Sequence, residues 1–275
     1  VHQDSPEEVV GLLRQFAEGG SPSQVVVEDS LPDEGGVAFV YSGNGAQWFG
    51  MGRRLLNESA RFEAIVDEID VAMRPLSGFS LRTELLAEES ESRLGDTVIA
   101  QPLLFAMQVA ITLLLKERGI EPKAVTGHSV GEIAAAWAAG ALDLNNAIRV
   151  ICARSQAQGL TRGTGRMAAV GMSAERAREM LAALGSDLDV ELAGINSPGN
   201  VTLTGSLDGL IRIQQHVEPK GTFFRLLDLD YAFHSRQMDP VREKLVDDLA
   251  GLSAVSTDKT VFVSTVTGGA LDGEL

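Results

Sequence analysis

Cysteine is almost missing from this chain: among 275 residues only Cys152 occurs. An internal disulfide framework is therefore excluded, and a lone thiol fits a reducing, cytoplasmic setting. Long apolar runs are missing too. The stretch 103–115 falls short of the ~20 residues that span a bilayer, is interrupted by Gln108, and is followed by charges. The first residues, VHQDSPEE, have no basic segment leading into an apolar one, so they do not read as a signal peptide. Positive charge is in deficit, with 23 Lys and Arg against 38 Asp and Glu, a net charge of −15. Phosphate contacts need clustered Lys and Arg, so this balance argues against generic nucleic-acid binding, and an acidic partner must dock on a local basic patch. No His, Cys, Asp or Glu cluster has metal-ligand spacing, and no repeat or low-complexity tract is present.

What remains is an ordinary globular composition, 44% apolar and 22% charged, long enough to bury a sizeable core. Strands and helices alternate along it. Residues 6–18 read as an amphipathic helix, followed by a break at GGSPSQ. VAFVY at 37–41 reads as a buried strand ending in the glycine turn SGNGAQ. Helices are expected at about 50–74 and 101–118, the second with Pro102 in its first turn, and EESES at 88–92 reads as a solvated loop. A short strand at 123–126 leads through a serine turn into a helix over 130–139, and another helix covers 145–159. After RGTGR the order becomes strand (MAAVGM), helix capped by Ser173, strand (VELAGINSP), strand (NVTLTGS), helix (LDGLIRIQQHV), strand (FFRLLDL). That βαββαβ order over 166–229 is what a ferredoxin-like subdomain needs. The chain returns through DYAFHS, a helix at 236–250 and the strand TVFVSTV.

The serine turn carries the chemistry. Gly127-His128-Ser129-Val130-Gly131 has the GxSxG pattern between a strand and a helix, which a nucleophile elbow requires and a simple helix cap does not. Glycines let neighbouring backbone pack closely, and the helix N-terminus offers unpaired N–H groups to a developing oxyanion. A serine hydroxyl needs a base at neutral pH. Of four histidines, His2 lies in a terminal tail, His216 on a polar helix face, and His128 on the turn itself. His234, after a strand and a short turn, is the base candidate by elimination. Asp228 and Asp230 stand so close before it that they read as structural rather than as a triad acid.

FVYSGNGAQWFGMG, GHSVGEIAAAWAAGAL, RSQAQG, AGINSPGNVTLTGS, DYAFHS and VFVSTVTG occur in one order. Over about 37–268 this series resembles the acyltransferase domains of type I polyketide synthases. More distantly it is similar to malonyl-CoA:acyl-carrier-protein transacylases. The resemblance implies an α/β fold: a hydrolase-like body, 37–165 and 230–275, carrying the ferredoxin-like subdomain, 166–229, after a linker-like segment, 1–36. Residues 7–29 resemble the end of the linker from a ketosynthase. Relatives continue past STVTG into Tyr-Trp and Asn-x-Arg-x-Pro-Val segments, which this chain does not contain.

The resemblance also implies roles. Ser129 is the nucleophile, and His234 the base and later the acid, in a dyad whose imidazole is oriented by a main-chain carbonyl. Backbone N–H groups of Asn44 and Val130 form the oxyanion hole, Asn44 standing where most relatives have Gln. Arg154 holds the free carboxylate of an extender acid, and a planar guanidinium suits that task because it meets a carboxylate with two parallel bonds. Gln101 lines the same pocket, although it reads equally as a helix-start residue. Malonyl-type relatives tend to carry His-Ala-Phe-His and methylmalonyl-type ones Tyr-Ala-Ser-His; Tyr231-Ala232-Phe233-His234 is a hybrid. Phe233 would fill the space of an α-methyl group, so malonyl is expected. The expected reaction passes malonyl from malonyl-CoA through Ser129 to the phosphopantetheine thiol of an acyl carrier protein, with no metal, resident cofactor or membrane. A serine esterase or thioesterase of the α/β-hydrolase class shares the elbow but needs a carboxylate partner for His234. A non-catalytic docking module would survive loss of Ser129.

Overall fold

Three short runs, 37–41, 122–127 and 261–263, build one parallel sheet. The computed structural model describes residues 5–20, 35–255, 257 and 259–271. The chain divides into two units, 1–36 and 37–275. In the first, α1 (Pro6–Ala17) starts at a proline, carries Glu7 and Glu8 in its first turn, and buries no residue. Most of the expected GGSPSQ break and linker end, 21–34, lies outside the described residues, as does His2.

In the second unit, β1 (Val37–Tyr41) and β7 (Val261–Val263) flank β2 (Pro122–Gly127), both parallel to it. Phe39, Val125 and Phe262 stand in register across the three strands and turn one face into the main core. Between β1 and β2 run α2 (Arg53–Glu58), α3 (Ala60–Ser77), α4 (Leu81–Leu86) and α5 (Thr97–Lys116). The helix expected over 50–74 is two helices, because Ser59 leaves helical geometry to cap α3, its side chain accepting from the Phe62 N–H at 3.2 Å. Glu89–Glu91, expected as loop, forms an exposed 3₁₀ turn. Helix α5 starts earlier than expected, capped by Asp96, which places Pro102 beyond the first turn. By length and composition α5 could cross a membrane, yet 67% of its apolar window is buried within this chain. It is a core helix, packed against α3, α6 (Gly131–Ala139) and α7 (Leu144–Gly159).

The second sheet is antiparallel, in the order β4 (Val190–Ser197), β5 (Asn200–Gly205), β3 (Arg166–Val170), β6 (Phe224–Leu226). With α8 (Ala174–Leu184) after β3 and α9 (Leu207–Val217) after β5, this is the ferredoxin-like connection. Period-two alternation sorts its faces. Ala168, Val170, Val201 and Leu203 pack with Leu210 and Ile213 of α9, whereas Met167 and Thr202 turn the other way, into a cleft. Strand β6 is shorter than the expected 223–229. Likewise the helix expected over 236–250 is a 3₁₀ segment, Arg236–Val241, followed by α10 (Arg242–Asp248). Pro240, which has no N–H to donate, sits where the two meet.

Candidate active site

Strand β2 ends at Gly127 and α6 begins at Gly131, so the three residues between must turn sharply. A Cβ on Gly127 would run into the Gly131 backbone, and one on Gly131 into the Tyr41 carbonyl. Only glycine fits at either end. Ser129 between them has φ 51°, in the left-handed region that L-residues avoid. The elbow also leans on β1: the His128 N–H donates to Tyr41 O at 2.9 Å, and a Cβ on Gly43 would meet His128 Nδ1 at 2.6 Å.

The turn points Ser129 into a cleft of about 520 Å³ between the elbow and the open face of the antiparallel sheet. His234 stands across it, Nε2 at 2.9 Å from Ser129 Oγ. The segment leading to it is fixed on both sides. Leu227 N–H donates to Met167 O at 2.8 Å, Asp230 pairs with Arg166, and Ser235 Oγ donates to Ala232 O at 2.7 Å. His234 itself has φ 59°. One side of the residue is open to the cleft, while surrounding protein and the nearby Arg154 and His128 charges lower the imidazole's pKa below the usual 6.5, against a smaller opposing effect of Glu132.

Arg154, on α7, completes the group. Its Nη2 donates to Ser129 Oγ at 3.1 Å and its Nη1 to Gln101 Oε1. Burial lowers the guanidinium pKa to about 10, so it remains a cation at neutral pH. A hydroxyl, an imidazole and a buried cation thus meet at one point.

A family model described as "Acyl transferase domain" matches residues 38–274. Erythronolide synthase EryA2 of Saccharopolyspora erythraea is 35% identical over 268 residues, 97% of this chain and 7% of that protein. Mycoketide-CoA synthase of Mycobacterium tuberculosis is 37% identical over 254 residues, 92% of this chain and 6% of that protein. Among solved structures, the acyltransferase domain from module 8 of the salinomycin polyketide synthase superposes with a TM-score of 0.87 at 31% identity. That match covers 98% of this chain and 63% of the other. The chain belongs to the acyltransferase domains of type I polyketide synthases. A malonyl CoA-acyl carrier protein transacylase from Clostridium perfringens shares the fold at TM-score 0.75 and 25% identity, over 86% of this chain and 74% of that one.

Within this acyltransferase domain the expected residues do not all reach the cleft. Ser129, His234, Phe233 and Asn44 line it. Val130 follows the serine directly, and among the described residues no backbone carbonyl takes its N–H or that of Asn44. The Asn44 carboxamide is buried with no protein partner for Oδ1 or Nδ2. Tyr231, expected at the pocket wall, is 1% exposed and stacks behind Phe233, ring centroids 4.8 Å apart. It supports the wall rather than forming it. Asp230 is taken by Arg166 and Arg162, as its structural reading required. The described residues offer His234 no main-chain carbonyl partner, so the expected orienting contact is not among them. His216 lies elsewhere, its Nε2 2.7 Å from Lys220 Nζ.

Two residues that fix the arginine escaped the sequence reading. Gln101 Nε2 donates to Thr97 Oγ1 at 2.6 Å and to Gln158 Oε1 at 2.7 Å, which leaves Oε1 facing Arg154. The amide is locked in the orientation that accepts from the cation. Gln158 was legible in part: 158 − 154 = 4 places it one helical turn from Arg154. At Gly159 a Cβ would strike Val98, so glycine there lets α7 approach α5.

Proposed function

We propose that this domain takes malonyl from malonyl-CoA onto Ser129 and hands it to the phosphopantetheine thiol of an acyl carrier protein, in a polyketide synthase that also holds a ketosynthase. His234 Nε2 accepts the Ser129 proton as Oγ bonds to the thioester carbonyl carbon. The Asn44 and Val130 N–H groups hold the oxyanion of the tetrahedral intermediate. When the C–S bond breaks, the imidazolium returns the proton to the CoA sulfur. The carrier thiol then runs the same steps in reverse, giving ping-pong kinetics. No metal and no resident cofactor takes part in this scheme.

The observation that carries the reading is the Arg154 guanidinium at Ser129 Oγ, a buried cation whose hydrogen bonds go to neutral groups. A buried cation favours an acyl group that brings its own anion. Malonyl does so, and the Phe233 ring in the cleft wall favours an acyl group without an α-methyl. The Clostridium perfringens transacylase adds support for the same substrate class. A water-using esterase is disfavoured, since no carboxylate is bonded to His234 among the described residues.

Intact-mass measurement after separate incubation with malonyl-CoA, methylmalonyl-CoA and acetyl-CoA tests the reading. The malonyl adduct should dominate on the wild type and vanish in Ser129→Ala. A malonyl adduct on Ser129→Ala contradicts it.

A further inference from the structure

The first turn of α6 carries Glu132, a carboxylate that lines the same cleft and has no place in the scheme above. Its Oε1 accepts from the Thr265 N–H at 2.7 Å and from Ser264 Oγ at 3.1 Å. Thr265 in turn donates from Oγ1 to Gly127 O at 3.1 Å. One residue after β7 thus grips both ends of the elbow, Gly127 by its hydroxyl and Glu132 by its amide. The turn that follows closes on itself, Ser264 N–H to Gly269 O at 3.0 Å and Gly268 N–H to Ser264 O at 2.9 Å. It carries Val266, 84% exposed, which lines the cleft as Ile195 of β4 does. One carboxylate oxygen takes two of the contacts that tie this rim to the elbow, and Gly127 O takes a third.

The charge of Glu132 has a second consequence. Arg154 and the cation that His234 forms while holding the serine proton repel one another, as the direction of the Arg154 effect on His234 shows. Glu132 acts on both in the opposite sense. The other titratable group facing His234 is His128, from the elbow. The antiparallel sheet presents Met167, Ala193, Ile195 and Thr202 there, none of them titratable. Among the described residues lining the cleft, Glu132 is the single anion.

We propose that Glu132 is a positioning residue: its Oε1 pins the Ser264–Thr265 turn to the elbow, and its charge offsets the repulsion between His234 and Arg154. The two tasks use different properties of one side chain, a hydrogen-bond acceptor and a net charge, so two substitutions separate them. Glu132→Gln keeps an acceptor oxygen and removes the charge. Glu132→Ala removes both. The idea rests on the proposed reading of Ser129 and His234, and its test is chosen to need no turnover.

His234 is titrated by NMR through its ring C–H signals in the full chain, and amide exchange is followed at Thr265. In Glu132→Gln the His234 titration should move to lower pH than in the wild type, with Thr265 exchange unchanged. In Glu132→Ala the titration should move the same way and Thr265 should exchange faster. Where Glu132→Ala does not fold, Glu132→Met fills a similar volume without an acceptor oxygen and should speed Thr265 exchange in the same way. An unmoved His234 titration in Glu132→Gln overturns the electrostatic role. Unchanged Thr265 exchange in the variant that removes the contact overturns the pinning role. A wild type that forms no acyl-enzyme would instead sink the proposed function and leave both readouts standing.

Discussion

Ser129 Oγ and His234 Nε2 stand 2.9 Å apart across 105 positions of sequence, and both residues hold left-handed backbone, φ 51° and 59°. Such conformations cost of order 1–3 kcal/mol each and persist only where their surroundings impose them. Here the Gly127–Gly131 packing imposes the first. The Asp230 ion pairs and the Ser235 hydrogen bond hold the segment that carries the second. The serine–histidine contact is built into the backbone on both sides.

The pH dependence of acylation follows from the imidazole's surroundings. Burial, Arg154 and His128 depress the His234 pKa below 6.5, so the ring is mainly neutral and able to accept a proton at pH 6.5, and protonates only at a lower pH. Activity is lost only as pH falls through the depressed value. The acid limb of kcat/KM for malonyl-CoA should therefore lie below pH 6.5, read from acyl-enzyme formation over the acid range. A limb above 6.5 would show that the base is not this histidine or that its environment differs.

Phe233 is held flat against Tyr231 and forms part of the cleft wall. Phe233→Ser removes the ring and leaves room for an α-methyl group. The ratio of kcat/KM for methylmalonyl-CoA over malonyl-CoA should rise about ten- to a hundredfold, the scale on which a pocket discriminates one methyl. An unchanged ratio would assign the wall to other residues.

Asn44 supplies its proposed oxyanion contact through the backbone, while its carboxamide is buried unpaired. An unpaired buried polar group costs about 1–3 kcal/mol. Asn44→Ala should therefore leave thermal stability equal or higher and lower acylation by less than tenfold. A loss near 10²–10³ in rate, the effect of removing a donor, would mean that the side chain is the contact.

The local parts of this architecture were legible in the sequence, and the reason is geometric. The elbow is specified by glycines whose neighbours leave no room for a Cβ, and the ferredoxin-like sheet by the βαββαβ order of elements over 166–229 with Ser173 capping its first helix. What sequence could not show depends on contacts between distant segments. Thr97, Gln158 and Glu132 are polar residues on helices, indistinguishable by type from solvent-facing ones until α5, α7 and the turn after β7 are brought together. Tyr231 carried a family expectation for the pocket, and only packing shows it one layer behind. Local signals also lost to better caps, as where Ser59 divides the helix expected over 50–74. The one cysteine, read only for redox setting, is buried in α7. Its thiol pKa is pushed up to about 12, so it is chemically quiet.

The central claim is that Arg154 receives the free carboxylate of an acyl group carried by Ser129. Acyl-enzyme formation from malonyl-CoA and from acetyl-CoA, measured in the wild type and in Arg154→Ala, tests it most directly. Loss of the guanidinium removes the partner of a buried carboxylate and leaves a neutral acetyl group without a rival charge. Malonyl loading should fall by orders of magnitude while acetyl loading is spared or rises, inverting the preference. Equal losses for the two substrates would contradict the account.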